Sequence, residues 1–163
     1  MTTEAPLTAA VLTVSDAGSR GERQDTAGPA IEALLQAAGF IDIRRALVPD
    51  EPTDIVGHLL AWSGDDVALV VTTGGTGLSP RDRTPEATRE VIDFEVPGLP
   101  ELMRLEGRAS TPMAMLSRGA AGVRGRTLIL NLPGSEKGAR ENLQAVLPVL
   151  AHAIEQVRAG AGH

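Results

Sequence analysis

The chain contains no cysteine. Disulfides, iron–sulfur clusters and cysteine-ligated zinc are thereby excluded, and a reducing compartment suits it. Aromatic residues are scarce at 2%, with one Trp, two Phe and no Tyr. That leaves no stacking platform for single-stranded nucleic acid. Positive charge is also short: the formal net charge is −6, and Lys137 is the single lysine among 15 basic residues. A broad nucleic-acid surface needs a basic face, so no nucleic-acid partner is expected. A small anionic ligand stays compatible, because a few arginines and local dipoles can hold one inside an acidic protein. No apolar run reaches the roughly 18 residues of a membrane span. Met1-Thr2-Thr3-Glu4 lacks the basic-then-apolar order of a signal peptide. These absences predict a cytoplasmic protein with no membrane partner.

Common catalytic signatures are missing too. No Gly-Lys-Ser/Thr occurs, so there is no Walker A loop; Gly75-x-Gly77 runs into Pro80 where a dinucleotide fingerprint needs its third glycine. No G-x-S-x-G nucleophile elbow is present. His58, His152 and His163 show no metal-ligand spacing.

What the chain does have is Thr72-Thr73-Gly74-Gly75-Thr76-Gly77-Leu78-Ser79-Pro80-Arg81-Asp82, directly after the apolar run Val67–Val71. Glycines there allow positive φ and close approach of backbone to a ligand. Successive amides in such a turn form a concave donor surface for phosphate oxygens. Arg81 and Asp82 follow, a charge clamp and a metal-competent carboxylate. Strand, glycine turn, hydroxyls, arginine and aspartate together point to phosphate chemistry.

Around this segment, apolar runs alternate with amphipathic stretches. Residues 9–14 read as a strand and 26–38 as a helix ended by Gly39. Residues 40–48 read as a weaker strand and 53–62 as a helix capped by Thr53. Val67–Thr72 is the third strand, and Thr84-Pro85-Glu86 opens another helix with proline in its first turn. Leu99–Glu106 predicts a short helix and 127–131 a buried strand. The final helix spans 136–158 and carries Pro148, which predicts a kink or a lost bond. Residues 109–125 carry no clear period. At 163 residues one domain is expected, with residues 1–7 and 159–163 as flexible ends. Alternating strands and helices predict a mostly parallel sheet covered on both faces, with ligands beyond the carboxyl ends of its strands. Four polar turns would meet there, around Ser15-Asp16, Asp50-Glu51, Gly74–Asp82 and Asn131–Ser135.

Several motifs, taken in order, carry a family resemblance. They are Val14-Ser15-Asp16, Asp25-Thr26-Ala27-Gly28-Pro29, Val48-Pro49-Asp50-Glu51, Thr72–Gly77, Pro80–Thr88, Pro97-Gly98, Ala114–Arg118 and Asn131-Leu132-Pro133-Gly134. Over about residues 8 to 157 the chain resembles the molybdopterin adenylyltransferase family of the MogA/MoaB type. The resemblance implies a three-layer α/β/α sandwich forming a single molybdopterin-binding domain, in a homo-oligomer that is usually a trimer and sometimes a hexamer. It implies Mg²⁺-dependent transfer of AMP from ATP to the terminal phosphate of molybdopterin, with release of pyrophosphate. The adenylylated product is then handed to a molybdate-inserting protein. The family's two key carboxylates match Asp50 and Asp82, the implied catalytic and metal-holding residues. Nothing is carried over for residues 17–24. A catalytically silent binding or scaffold module of the same fold is the alternative.

On this reading Thr73, Gly74, Gly75, Thr76, Gly77 and Ser79 cradle a phosphate, with Arg81 beside them. Ser15 and Asp16 contribute from the first polar turn. Ser117 and Arg118 offer donors to the pterin or its phosphate. Asn131, Pro133, Gly134 and Ser135 frame a pocket for nucleotide or pterin. Plainer roles are open to each: Asp82 as a flank of the next helix, Asp50 and Asp16 as turn residues, Ser117 and Arg118 as a surface pair, Asn131 as a partner of backbone groups.

Overall fold

The computed structural model describes residues 6–160; residues 1–5 and 161–163, where part of the expected flexible ends falls, lie outside them. A six-stranded sheet runs in the order β2-β1-β3-β6-β5-β4. β1 is Thr8–Val14, β2 Ile41–Val48, β3 Leu69–Thr73, β4 Phe94–Glu95, β5 Ala121–Arg124 and β6 Thr127–Leu132. β1, β2, β3 and β6 pair in parallel, while β5 is antiparallel to both β6 and β4. The sheet is thus mostly parallel, as the alternating pattern predicts, with an antiparallel edge.

Helices cover both faces. α1 is Asp16–Ser19, α2 Ala27–Ala37, α3 Pro52–Gly64, α4 Thr84–Val91, α5 Gly98–Gly107 and α6 Glu136–Gly160. Successive strand residues point to opposite faces. Ala9, Val11, Leu69, Val71, Leu128 and Leu130 join the core beneath α2, α5 and α6. Ala10, Leu12, Val70 and Ile129 join the core beneath α3 and α4. Burial on both sides explains why β1, β3 and β6 read as continuous apolar runs.

Several boundaries differ from the sequence reading. α3 begins at Pro52 with Glu51 as its N-cap, so Thr53 lies inside the first turn rather than capping it. Pro52 fits there because its missing N–H is an orphan in any case. α6 runs through Pro148. The bond lost is the one to the carbonyl of Gln144, which like Pro148 is exposed, so water can take its place. The stretch 109–125 holds a 3₁₀ turn at Pro112–Leu116 and β5. β5 turns into β6 through Gly125-Arg126, with Gly125 at φ 58° as a two-residue hairpin requires.

Candidate functional site

The carboxyl ends of β1, β2, β3 and β6 deliver their following loops to one edge of the sheet. A cavity of about 420 Å³ opens there. Ser15, Asp50, Thr73, Gly74, Gly75, Asp82, Gly134 and Ser135 line it. A second cavity of about 470 Å³ adjoins it, lined among others by Thr76, Gly77, Leu78, Met113, Ser117 and Pro133. The two share Ser135, and the glycine turn lines both.

The glycine turn is held by sterics. Gly74 has φ 102°, and a Cβ on it would collide with the carbonyl oxygen of Val14. Gly75 has φ 70°; a Cβ there would collide with Thr84 Oγ1 and lie 3.2 Å from Asp50 Oδ1. Gly74 donates its N–H to Leu132 O at 3.1 Å, so that amide is spent inside the protein. The amides of Gly75, Thr76 and Gly77 reach no acceptor among the described residues. Thr73 Oγ1 donates to Pro133 O at 2.6 Å and ties this turn to the one after β6.

Asp50 and Asp82 enter from different loops. Asp50 Oδ2 accepts the N–H of Asp16 at 2.9 Å. Asp82 Oδ2 accepts the N–H of Ser79 at 3.1 Å. Asp82 does flank α4, whose N-cap is Arg83, but its carboxylate is engaged by the Ser79 N–H and not by the helix. Neither Asp50 Oδ1 nor Asp82 Oδ1 accepts a hydrogen bond among the described residues. Burial pushes the Asp50 carboxyl above its ordinary value; the charges of Asp16 and Asp82 push the same way, against the N–H of Asp16. Asp16 is the opposite case. Hydrogen bonding from Arg81, then from the Asp50 N–H, draws its carboxyl down to about 2.

Asp16 and Arg81 sit beside the cavity as a brace. Arg81 grips Asp16 with Nε at 3.0 Å and Nη2 at 2.9 Å, and reaches Glu51 at 2.9 Å. Arg118 braces the glycine turn, donating to Gly77 O at 2.9 Å, to Asp82 O at 2.8 Å and to Glu86. Asn131 is 1% exposed and lines neither cavity. Its Oδ1 accepts from Ala120 N–H, and its Nδ2 donates to Thr72 and Thr88 hydroxyls at 3.0 and 2.9 Å. The structure therefore brings most of the expected residues to the two cavities; Asp16, Ser79 and Arg81 line neither, Arg118 lines a separate cavity of about 450 Å³, and Asn131 is buried.

Residues from the loop after β1 also line the first cavity: Arg23, Gln24 and Asp25. Asp25 anchors them by accepting from Thr13 Oγ1 at 2.7 Å, Gly28 N–H at 2.9 Å and Arg45 at 2.8 Å. A Cβ on Gly28 would strike that cluster. The signal was the run Asp25-Thr26-Ala27-Gly28-Pro29, an aspartate three residues before a glycine in a helix's first turn.

Among the described residues no group of three or more His, Cys, Asp or Glu is arranged to hold a metal by itself. Mg²⁺ does not need one: it binds through one or two carboxylates plus phosphate oxygens and waters. Asp50 and Asp82, each with an oxygen that accepts no hydrogen bond among the described residues and both lining the cavity of the glycine turn, fit that ion.

The molecule is a doubly covered α/β sheet that gathers a glycine turn and two carboxylates in one cavity at its carboxyl edge. The chain belongs to the MogA/MoaB family of molybdenum cofactor biosynthesis proteins: residues 10–152 match the family described as a probable molybdopterin binding domain. A molybdopterin adenylyltransferase of Helicobacter pylori is 40% identical over 151 residues, covering 90% of this chain and 85% of that protein. The molybdenum cofactor synthesis protein cinnamon of Drosophila melanogaster is 40% identical over 153 residues, covering 93% of this chain; the chain spans only 26% of its length. The crystal structure of the molybdopterin biosynthesis enzyme MoaB from Thermus thermophilus superposes with a TM-score of 0.88 at 60% identity, covering 94% of this chain and 97% of that one. No helix among the described residues is long and apolar enough to cross a membrane.

Proposed function

We propose that this protein is a molybdopterin adenylyltransferase, transferring AMP from ATP to the terminal phosphate of molybdopterin and releasing pyrophosphate. The observation that carries the reading is that Asp50, Asp82 and the Gly74-Gly75 turn line one cavity. The 40% identical H. pylori adenylyltransferase supports it.

The attacking group is a phosphate monoester with a second pKa of about 6, so it is largely dianionic at neutral pH. No strong general base is needed. This agrees with the positions of His58 and His152, which line neither cavity. The barrier lies in bringing two polyanions together and in stabilising charge on the departing pyrophosphate. The free amides of Gly75, Thr76 and Gly77 supply fixed donors for that charge. Asp50 and Asp82 would hold Mg²⁺, which when bound supplies neutralising charge to the triphosphate. Ser135, common to both cavities, stands where two phosphate-bearing substrates would meet. The working form is a homo-oligomer, and the product passes to a molybdate-inserting protein.

The test is pyrophosphate release by purified protein given ATP, Mg²⁺ and molybdopterin. Asp82→Asn should lower it at least about a hundredfold, roughly 2.7 kcal/mol of transition-state stabilisation. Tight molybdopterin binding with no pyrophosphate from the wild type would instead identify a silent binding module.

A further inference from the structure

The two arginines that border the glycine turn are already engaged: Arg81 by Asp16 and Glu51, Arg118 by the carbonyls of Gly77 and Asp82 and by Glu86. The first cavity has four charged lining residues, Arg23, Asp25, Asp50 and Asp82. Asp25 is neutralised by Arg45 at 2.8 Å. Asp50 and Asp82 therefore face the cavity with Arg23 as its sole basic lining residue among the described residues. Arg23 is exposed and takes part in no ion pair or side-chain hydrogen bond among the described residues, whereas Arg20 nearby is paired with Glu22.

The loop that carries Arg23 is pinned on both sides. Glu22 donates its N–H to Ala17 O at 2.9 Å. Three residues on, Asp25 is fixed to Thr13 and to the N–H of Gly28. The backbone at residue 23 is thus placed, and its side chain is unclaimed.

We propose that Arg23 is the chain's own polyphosphate clamp, binding the non-bridging oxygens of a triphosphate laid across the Gly74-Gly75 turn. This rests on the ATP-dependent reading above. Two carboxylates in the cavity repel a polyanion, so a cation from the chain is needed beside any metal. A guanidinium matches phosphate geometry with two parallel donors. Arg23 can do this without breaking an ion pair. Drawing Arg81 into that role would strand Asp16 and Glu51.

The experiment compares wild type, Arg23→Gln and Arg23→Lys in two measurements: calorimetric binding of inorganic tripolyphosphate with Mg²⁺, and KM for ATP and for molybdopterin in pyrophosphate release. Arg23→Gln should weaken tripolyphosphate binding about tenfold and raise KM for ATP similarly, with KM for molybdopterin unchanged; a tenfold change corresponds to about 1.4 kcal/mol. Arg23→Lys should recover part of the loss. Unchanged tripolyphosphate affinity in Arg23→Gln, with turnover intact, overturns the clamp and leaves the transferase reading standing. A rise confined to KM for molybdopterin also overturns it, assigning Arg23 to the other substrate's phosphate. If the wild type binds molybdopterin but neither ATP nor tripolyphosphate, clamp and transferase reading fall together.

Discussion

Asp16 and Asp50 hold each other through two reciprocal bonds, each main-chain N–H donating to the other residue's carboxylate at 2.9 Å. The pair joins the loop after β1 to the loop after β2, and Arg81 extends the tie to the loop after β3. The loops after β1 and β2, far apart in sequence, are thereby tied to the loop that carries the glycine turn. Asp16→Ala removes both the acceptor for Asp50 N–H and the anchor of Arg81. We expect lower thermal stability at neutral pH and a lower kcat, because the main chain at Asp50 and the Arg81 guanidinium each lose a tie while the residue-16 N–H still holds the Asp50 carboxylate. The pH dependence separates this from a generic packing defect. The folded-state value of Asp16 is drawn down from 3.8 to about 2, so its contribution is present above 3.8 and fades as pH falls toward about 2. The gap in Tm between wild type and variant should close across that window.

Asp50 makes the opposite prediction. Burial and two neighbouring carboxylates raise its value above 3.8, so ionising it destabilises the ligand-free fold at neutral pH. Asp50→Asn keeps an oxygen to accept the Asp16 N–H and removes the charge. Its Tm without Mg²⁺ should equal or exceed that of wild type at neutral pH. The advantage should shrink as pH falls through the raised Asp50 value, where the wild-type carboxyl is also neutral. Pyrophosphate release should nonetheless drop at least about a hundredfold. A stabilised but inactive variant would mark a carboxylate kept for its chemistry at a cost to the fold.

Asn131 separates a structural role from a ligand contact. Its amide satisfies the N–H of Ala120 and links the hydroxyls of Thr72 and Thr88, all within the buried interior. Asn131→Ala leaves a buried N–H without its acceptor and opens a small void. We expect a loss of about 3 kcal/mol in urea unfolding. KM for either substrate should change little where the variant remains folded.

How far the sequence reveals this molecule depends on run length and on which side of a loop a residue faces. β1, β3 and β6 are legible because both faces are buried, which makes each an unbroken apolar run. β4, two residues long, and β5, four, are too short to show a period. The meeting of Asp50 with Asp82 follows from topology, since loops after parallel strands share an edge. The placement of Asn131 does not, because a polar residue at a strand end reads the same whether it faces a cleft or the core. Arg23 escaped notice because it lies in an aperiodic loop. Its position depends on Asp25 reaching Thr13 and Arg45, contacts between segments that no local pattern encodes.

Arg118 should behave as a positioning residue for the cradle. Its guanidinium spans three acceptors: Gly77 O on the glycine turn, Asp82 O beside the candidate metal carboxylate, and Glu86 on α4. A planar fork can reach all three at once; a lysine ammonium offers its donors from a single point. Arg118→Lys keeps the charge and loses the span. We expect kcat to fall about tenfold with only a small change in Tm, because the Arg118 side chain is about a third exposed and its ion pair adds little to stability. Glu86→Gln should give a weaker version of the same effect, since the two carbonyl bonds survive. If Arg118→Lys instead raises only the KM for molybdopterin and leaves kcat intact, Arg118 contacts substrate directly and the brace is not its main role.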